Sequence, residues 1–486
     1  MKMSKNNKNE VVTELKEKLL YERKNVCITM TDDELQKADS FCDGYKVFLN
    51  KGKTEREACS QAAAIAKAAG FTEYKAGVEY KAGDKIYSVN RGKAVILAVI
   101  GSRPIEDGVN IIASHIDSPR IDLKQNPLFE DTDLVYFKTH YYGGVKKYQW
   151  TALPLALHGV VVKGDGTTVD VIVGEDESEP VFSVTDLLPH LSELQYKRPA
   201  HELIKGEELN ILIGSRPFRL NGDGNDKNES ASSKLAVMKI LNDKYGITER
   251  DFASAELEAV PAHKARDVGF DRSLVGGYGQ DDRVCAYTSL IAITETDAPE
   301  KTAICVLADK EEIGSYGNTG LGSDYLRYFI ADLVSAASRN ECESGMRIRQ
   351  CLSNSRCLSA DVCAALDPTF ADVSEKNNAA FMNYGAVIAK YFGSKGKSGT
   401  NDASAEFVGE IRKLFDDNNI VWQTGELGKV DAGGGGTVAM FIAKMNVDTV
   451  DIGVPVLSMH APLELSAKAD VYSAYRGFKA FYNFTP

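Results

Sequence analysis

Hydrophobic positions change their spacing along the chain, and each change predicts a different kind of structure. Between residues 10 and 70 they recur at helical intervals. Val12, Leu15, Leu19 and Leu20 fall on one face, and the alanine-rich stretch 58–70 closes on a glycine. Two apolar runs follow at 94–100 and 109–113, and both read as buried strands. The second runs directly into His115, Ile116 and Asp117.

From 122 to 255 the pattern becomes one of short β-branched segments in quick succession, at 134–137, 159–162, 169–173, 181–184 and 209–213. Turns such as Gly164-Asp165-Gly166 separate them, and the spacing predicts a compact β domain. Its polar tail, 221–233, reads as an exposed loop. Beyond 256, strand and helix alternate. Residues 302–307 and 447–454 read as strands and 405–415 and 472–482 as helices, while Val284, Tyr287, Leu290 and Ile291 form one helix face. Such alternation predicts an α/β fold with a mainly parallel sheet. The economical organisation is one α/β domain made from 1–121 and 256–486, with a β domain, 122–255, inserted into it.

The chain's 486 residues are enough for two domains, and 43% hydrophobic with 26% charged residues is a globular balance. A net charge of −12 argues against nucleic acid or an anionic membrane as partner. Nine cysteines stand singly, with no CxxC pair, so they read as reduced thiols and exclude a thiolate zinc site. Charges interrupt the apolar residues of the first 20 positions, and no run of 18 apolar residues occurs. Neither a signal peptide nor a membrane span is expected, which points to the cytoplasm.

Candidate chemistry gathers where strands end. In open α/β sheets ligands collect at the carboxyl ends of strands. His115 and Asp117 follow one predicted strand, and Asp309, Glu311 and Glu312 follow another. Asp361 closes a third segment, His460 follows the strand at 447–454, and Asp281 precedes a helix. Each alone has an ordinary explanation: a Glu-Glu pair on a solvated face, a core histidine, a helix cap. Together they make a mixed imidazole and carboxylate set that suits zinc, cobalt or manganese. Two divalent ions need a shared carboxylate, for which Asp281 is the best placed. Asp117 is positioned to orient the His115 ring. Of the adjacent Glu311 and Glu312, one can bind metal while the other moves a proton. Other signals fail: Gly396-Lys397-Ser398 lacks the first glycine of a phosphate loop, because Tyr391 occupies that position.

Five segments, ASHIDSPRIDLK (113–124), GQDDRVCAY (279–287), LADKEEIGS (307–315), LSADVCAALDP (358–368) and LSMHAPLE (457–464), resemble the aspartyl aminopeptidase and aminopeptidase I family in order and separation. The resemblance covers nearly the whole chain. It implies a zinc-type aminopeptidase with two divalent ions, acting on short peptides with a free N-terminus. His115, Asp281 and Asp361 would hold one ion and Asp281, Glu312 and His460 the other. Glu311 would be the general base, with Asp117 supporting His115. It also implies a tetrahedral homododecamer built from dimers through the β domain, with His190 reaching a neighbour's substrate. Met459, beside His460, and Gly435, in the glycine-rich run 433–436, are further substrate-contact candidates. Gln280-Asp281-Asp282-Arg283 and the Ala-Pro-Leu-Glu after His460 differ from the aspartyl branch. They resemble the bacterial aminopeptidase I branch, for which neutral N-terminal residues are the expectation. A carboxypeptidase or amide deacylase on the same metal pair is the rival reading, followed by a non-catalytic shell.

Overall fold

Residues 5–219, 232–336 and 341–485 are described by the structure, a computed structural model. Among them are three sheets. The largest has nine strands, in the order Thr72–Glu73, Lys85–Asn90, Ala94–Val99, Ala303–Ala308, Asn110–His115, Arg356–Ala360, Asp448–Gly453, Ala386–Ala389 and Trp422–Thr424. Its four central strands, from Ala303–Ala308 to Asp448–Gly453, run parallel to one another. Ala303–Ala308 and Asn110–His115 are buried at every position, as central strands in a sheet covered on both faces should be. One face packs against the helices Asp32–Lys51, Glu55–Ala68, Gln280–Thr294 and Lys468–Tyr482. Tyr325–Ala336 and Glu341–Asn354 lie against the other.

The second sheet has seven strands, all antiparallel, drawn from residues 120–261. Its core surrounds the fully buried Trp150. Tyr278, from the segment leading to Asp281, enters that core edge-on to Trp150 and donates to the Pro119 carbonyl at 3.0 Å. Of the predicted exposed loop, 221–231 lie outside the described residues. Ser232 instead caps a helix, Ser233–Tyr245, that the β-rich reading of this region missed. That helix packs a broken apolar face, Val237, Met238 and Leu241, on the sheet.

A third, five-stranded sheet joins Arg266–Val268, Leu274–Gly277, Glu464–Ala467, Pro455–Leu457 and Cys363–Ala364. It has the largest consequence for the site, because its pairing of Gly277 with Glu464 sets the turn before Asp281 beside the turn that carries His460. The N-terminal helix forms as expected over Lys5–Leu19, but Val12, Leu15 and Leu19 are exposed.

Candidate metal centre

The site is assembled by strand register. His115 ends its strand opposite Ala308, so the turn after Ala308 delivers Glu311 and Glu312 to the imidazole. Arg356–Ala360 flanks His115 on the other side and delivers Asp361. Asp281 and His460 arrive from the third sheet. Asp281 and Asp282 have non-helical backbone angles at the start of Gln280–Thr294, so the regular helix begins after them. His460 itself sits at φ +64°, a conformation that non-glycine residues hold mainly where surrounding contacts enforce it.

Asp281 lies between the two imidazoles. Its Oδ1 is 3.2 Å from His115 Nε2 and its Oδ2 is 3.2 Å from His460 Nε2. Asp361 Oδ1 and Glu311 Oε2 stand 3.8 and 3.9 Å from His115 Nε2, and Glu312 Oε1 is 3.5 Å from His460 Nε2. The donor atoms of His115, Glu311 and Asp361 all lie within 4.8 Å of one another, as do those of His115, Asp281 and Glu312. All seven residues picked out from the sequence as ligands, base and support therefore converge. Met459 packs against the hydrophobic core beside His460, Gly435 lies against Leu427 in its loop, and His190 is exposed on a 3-10 turn of the antiparallel sheet's periphery.

The donor set fits divalent cations. Asp117, Asp281, Glu311, Glu312 and Asp361 outnumber the two imidazoles, and Glu312 Oε1 is buried without a hydrogen-bond partner. Buried carboxylates in such excess are stable only when neutralised or paired with cations. Burial drives Glu312 and Asp361 up, and the neighbouring Asp281 and Asp282 push in the same direction. Burial also lifts Glu311, to about 7, against the pull of the His115 ring. For Asp281 burial is outweighed by hydrogen bonds with His115 and His460, which hold it below the usual carboxylate range. Burial disfavours a charged His460, but Asp281 outweighs it and raises that ring to about 10.

A supporting layer surrounds these groups. His115 Nδ1 is 3.0 Å from the carbonyl of Asp117 and 3.3 Å from its carboxylate, so both acceptors of one residue flank the ring. His460 Nδ1 faces the carbonyl of Gly144 at 2.9 Å. Sequence reasoning missed Glu464, Asp282, Tyr142 and the Gly143-Gly144 pair. Glu464 is buried and accepts from the backbone N–H groups of Gln280, Asp281 and His460, tying together the turns that carry Asp281 and His460. Asp282 accepts from the His115 backbone. A Cβ at Gly143 would come within 3.2 Å of Glu312, and one at Gly144 within 3.1 Å of His460 Nδ1. Glu464 ends the motif LSMHAPLE, and only its adjacency to His460 signalled it. Gly143 and Gly144 carried no signal, because their importance comes from a contact across sheets.

The family model described as aminopeptidase I zinc metalloprotease (M18) matches residues 48–482. The probable M18 family aminopeptidase 1 of Clostridium acetobutylicum is 50% identical over 469 residues, covering 96% of this chain and 99% of its own length. The crystal structure of an M18-family aminopeptidase from Thermotoga maritima superposes with a TM-score of 0.89 at 41% identity, covering 95% of this chain and 99% of that one. The mApe1 dodecamer of S. cerevisiae superposes with a TM-score of 0.71 at 19% identity over 93% and 97%, a likeness of fold. By sequence across its length and by fold, the chain belongs to the M18 aminopeptidases, a family of zinc metallopeptidases.

Proposed function

We propose that His115, Asp281 and Asp361 hold one divalent ion and that Asp281, Glu312 and His460 hold a second. Zinc is the natural occupant, with cobalt or manganese as substitutes. The observation that carries this reading is Asp281, whose two oxygens each face a different imidazole at 3.2 Å. When bound, such a pair supplies Lewis-acid polarisation of the scissile carbonyl and a lowered pKa for water.

The chain's own groups then divide the work. Glu311, lifted to about 7 by burial, is poised to take a proton from the attacking water and return it to the departing amine. Asp117 fixes the turn on which Glu311 sits by accepting from its backbone N–H and from that of Glu312. The site opens on the side of His460, whose side chain is 34% exposed. The carboxylate-rich wall suits the ammonium of a free N-terminus, which favours release of the first residue of a peptide over removal of the last.

Met459 and Gly435 are proposed to contact the substrate, and His190 to reach the site of a second copy. Supporting the last point, Leu187, Leu188, Leu191, Leu194 and Tyr196 around it are all about half or more exposed, a patch that marks a protein interface. We propose that the antiparallel unit, 122–255, makes that dimer contact, and that dimers build a tetrahedral dodecamer, as the fold likeness to the mApe1 dodecamer suggests. An enclosed shell restricts substrates to short peptides. Among the described residues no helix is long and apolar enough to cross a membrane. Eight of the nine cysteines are free thiols, which supports a reducing, cytoplasmic setting.

The test is a panel of aminoacyl chromogenic substrates, free and N-acetylated, with and without chelator. Chelator-sensitive release from free-amine substrates alone is expected. Release from the acetylated series would make the protein a deacylase instead.

A further inference from the structure

We propose that Tyr142 and Arg120 are positioning residues for the Glu311–Glu312 turn, acting through Asp117 from a buried charge cluster between the first two sheets. The inference rests on the reading of Glu311 and Glu312 given above and extends it to residues outside the ligand set.

Strand pairing creates the link. Arg120–Asp131 pairs with Leu134–Tyr142, and the register sets Arg120 directly against Tyr142. The guanidinium carbon lies 3.9 Å from the centre of the phenol ring. The phenol donates to Asp117 Oδ2 at 2.8 Å. That same oxygen accepts from the Glu312 backbone at 3.2 Å, while Oδ1 accepts from that of Glu311 at 3.1 Å. Tyr142 therefore supplies, among the described residues, the one side-chain hydroxyl donor to the carboxylate on which both glutamates hang.

Arg120 is buried and gripped from three sides. Asp122 lies 2.8 Å from its Nε on its own strand, Glu258 3.1 Å away on the neighbouring strand Ala255–Pro261, and Glu55 3.5 Å away at the start of Glu55–Ala68. Its Nη1 and the Oε2 atoms of Glu55 and Glu258 are buried without hydrogen-bond partners. The cation is thus held by charge from both layers and keeps one planar face for the ring. A buried ion cluster is a poor source of stability compared with apolar packing. A cation over an aromatic face is attracted to it and draws electron density from it, which strengthens the phenol O–H as a donor. That gives the arrangement a role in placing Asp117, and through it Glu311 and Glu312.

Tyr142→Phe keeps the ring and its packing and removes only the hydroxyl. We expect kcat to fall about 10–100-fold, the range for partners that orient metal-site groups, with KM and zinc content at wild-type values. Arg120→Lys keeps the charge but loses the planar face, and should lower kcat in the same way. Because both act on one hydroxyl, the double variant should be no slower than the slower single variant. Glu311→Gln is measured alongside. Wild-type kcat in Tyr142→Phe, beside an inactive Glu311→Gln, overturns the relay and leaves the base assignment standing. Costs that multiply in the double variant also overturn it. Full turnover in Glu311→Gln overturns the underlying reading itself. If Arg120→Lys fails to fold, Tyr142→Phe decides alone.

Discussion

Asp117 accepts hydrogen bonds from the backbone N–H groups of Glu311 and Glu312, at 3.1 and 3.2 Å, while its backbone carbonyl faces His115 Nδ1 at 3.0 Å. One buried residue thus sets the orientation of an imidazole through its carbonyl and the placement of two adjacent glutamates through its carboxylate. The two neighbours separate in environment. Glu312 faces His460 and Asp281, and Glu311 turns toward His115 and Asp361.

Replacing Glu311 with Gln keeps the shape of the side chain and removes the proton acceptor. Turnover should fall about 10²–10⁴-fold, the usual worth of positioned proton transfer, with two zinc ions per chain retained. Steady-state kinetics beside elemental analysis check both halves. Loss of zinc together with activity would make Glu311 a ligand rather than a base.

Replacing Asp281 with Ala removes the carboxylate facing both imidazoles and should abolish binding of both ions. His460→Ala should empty one position preferentially. Isothermal titration of the metal-free protein with zinc distinguishes one lost site from two.

Gly143, at φ +71°, stands where a Cβ would press on Glu312 from 3.2 Å. Gly143→Ala pays about 1–2 kcal/mol for a left-handed alanine and also displaces the glutamate. Thermal unfolding should shift modestly and kcat strongly. Equal proportional losses would indicate a backbone effect only.

The contact between layers also sets a pH dependence. Burial alone would raise Glu175, but hydrogen bonds from His158, Lys264 and Lys53 outweigh it and hold the carboxyl at about 2. Lys53 precedes Glu55–Ala68 and reaches Glu175 at 2.6 Å, and His158 meets Glu57 at 2.7 Å. With the folded pKa depressed, the Glu175 contribution is fully present above its unfolded value, about 4.3. It is lost as pH falls from there through 2. Chemical denaturation from pH 5 to 2 should show this loss in the wild type and a weaker slope in Glu175→Gln.

Much of the site was legible because parallel strands bring their carboxyl ends together. His115, Glu311, Glu312 and Asp361 follow three neighbouring strands, so a strand-end pattern sufficed. Five of the seven antiparallel strands were legible as short β-branched segments, while Arg120–Asp131 and Ala255–Pro261 were not. The helix Ser233–Tyr245 was not, because its apolar residues, Leu235 to Met238 and Ile240-Leu241, run almost continuously instead of recurring at helical spacing. Tyr142, Gly143, Gly144 and Glu464 escaped for a different reason. Their roles arise from register between paired strands and from contacts across elements, which spacing along one strand does not encode. Asp117 illustrates both limits. Its nearness to His115 was readable, while its hold on Glu311 and Glu312 depends on a strand nearly two hundred positions away.

The central claim is that Asp281 is shared by two ions. Anomalous diffraction at the zinc absorption edge, on crystals of the zinc-loaded protein, tests it most directly. The account predicts two peaks, one beside each oxygen of Asp281, with His115 and Asp361 around the first and Glu312 and His460 around the second. A single peak, or a pair that does not touch Asp281, would contradict it.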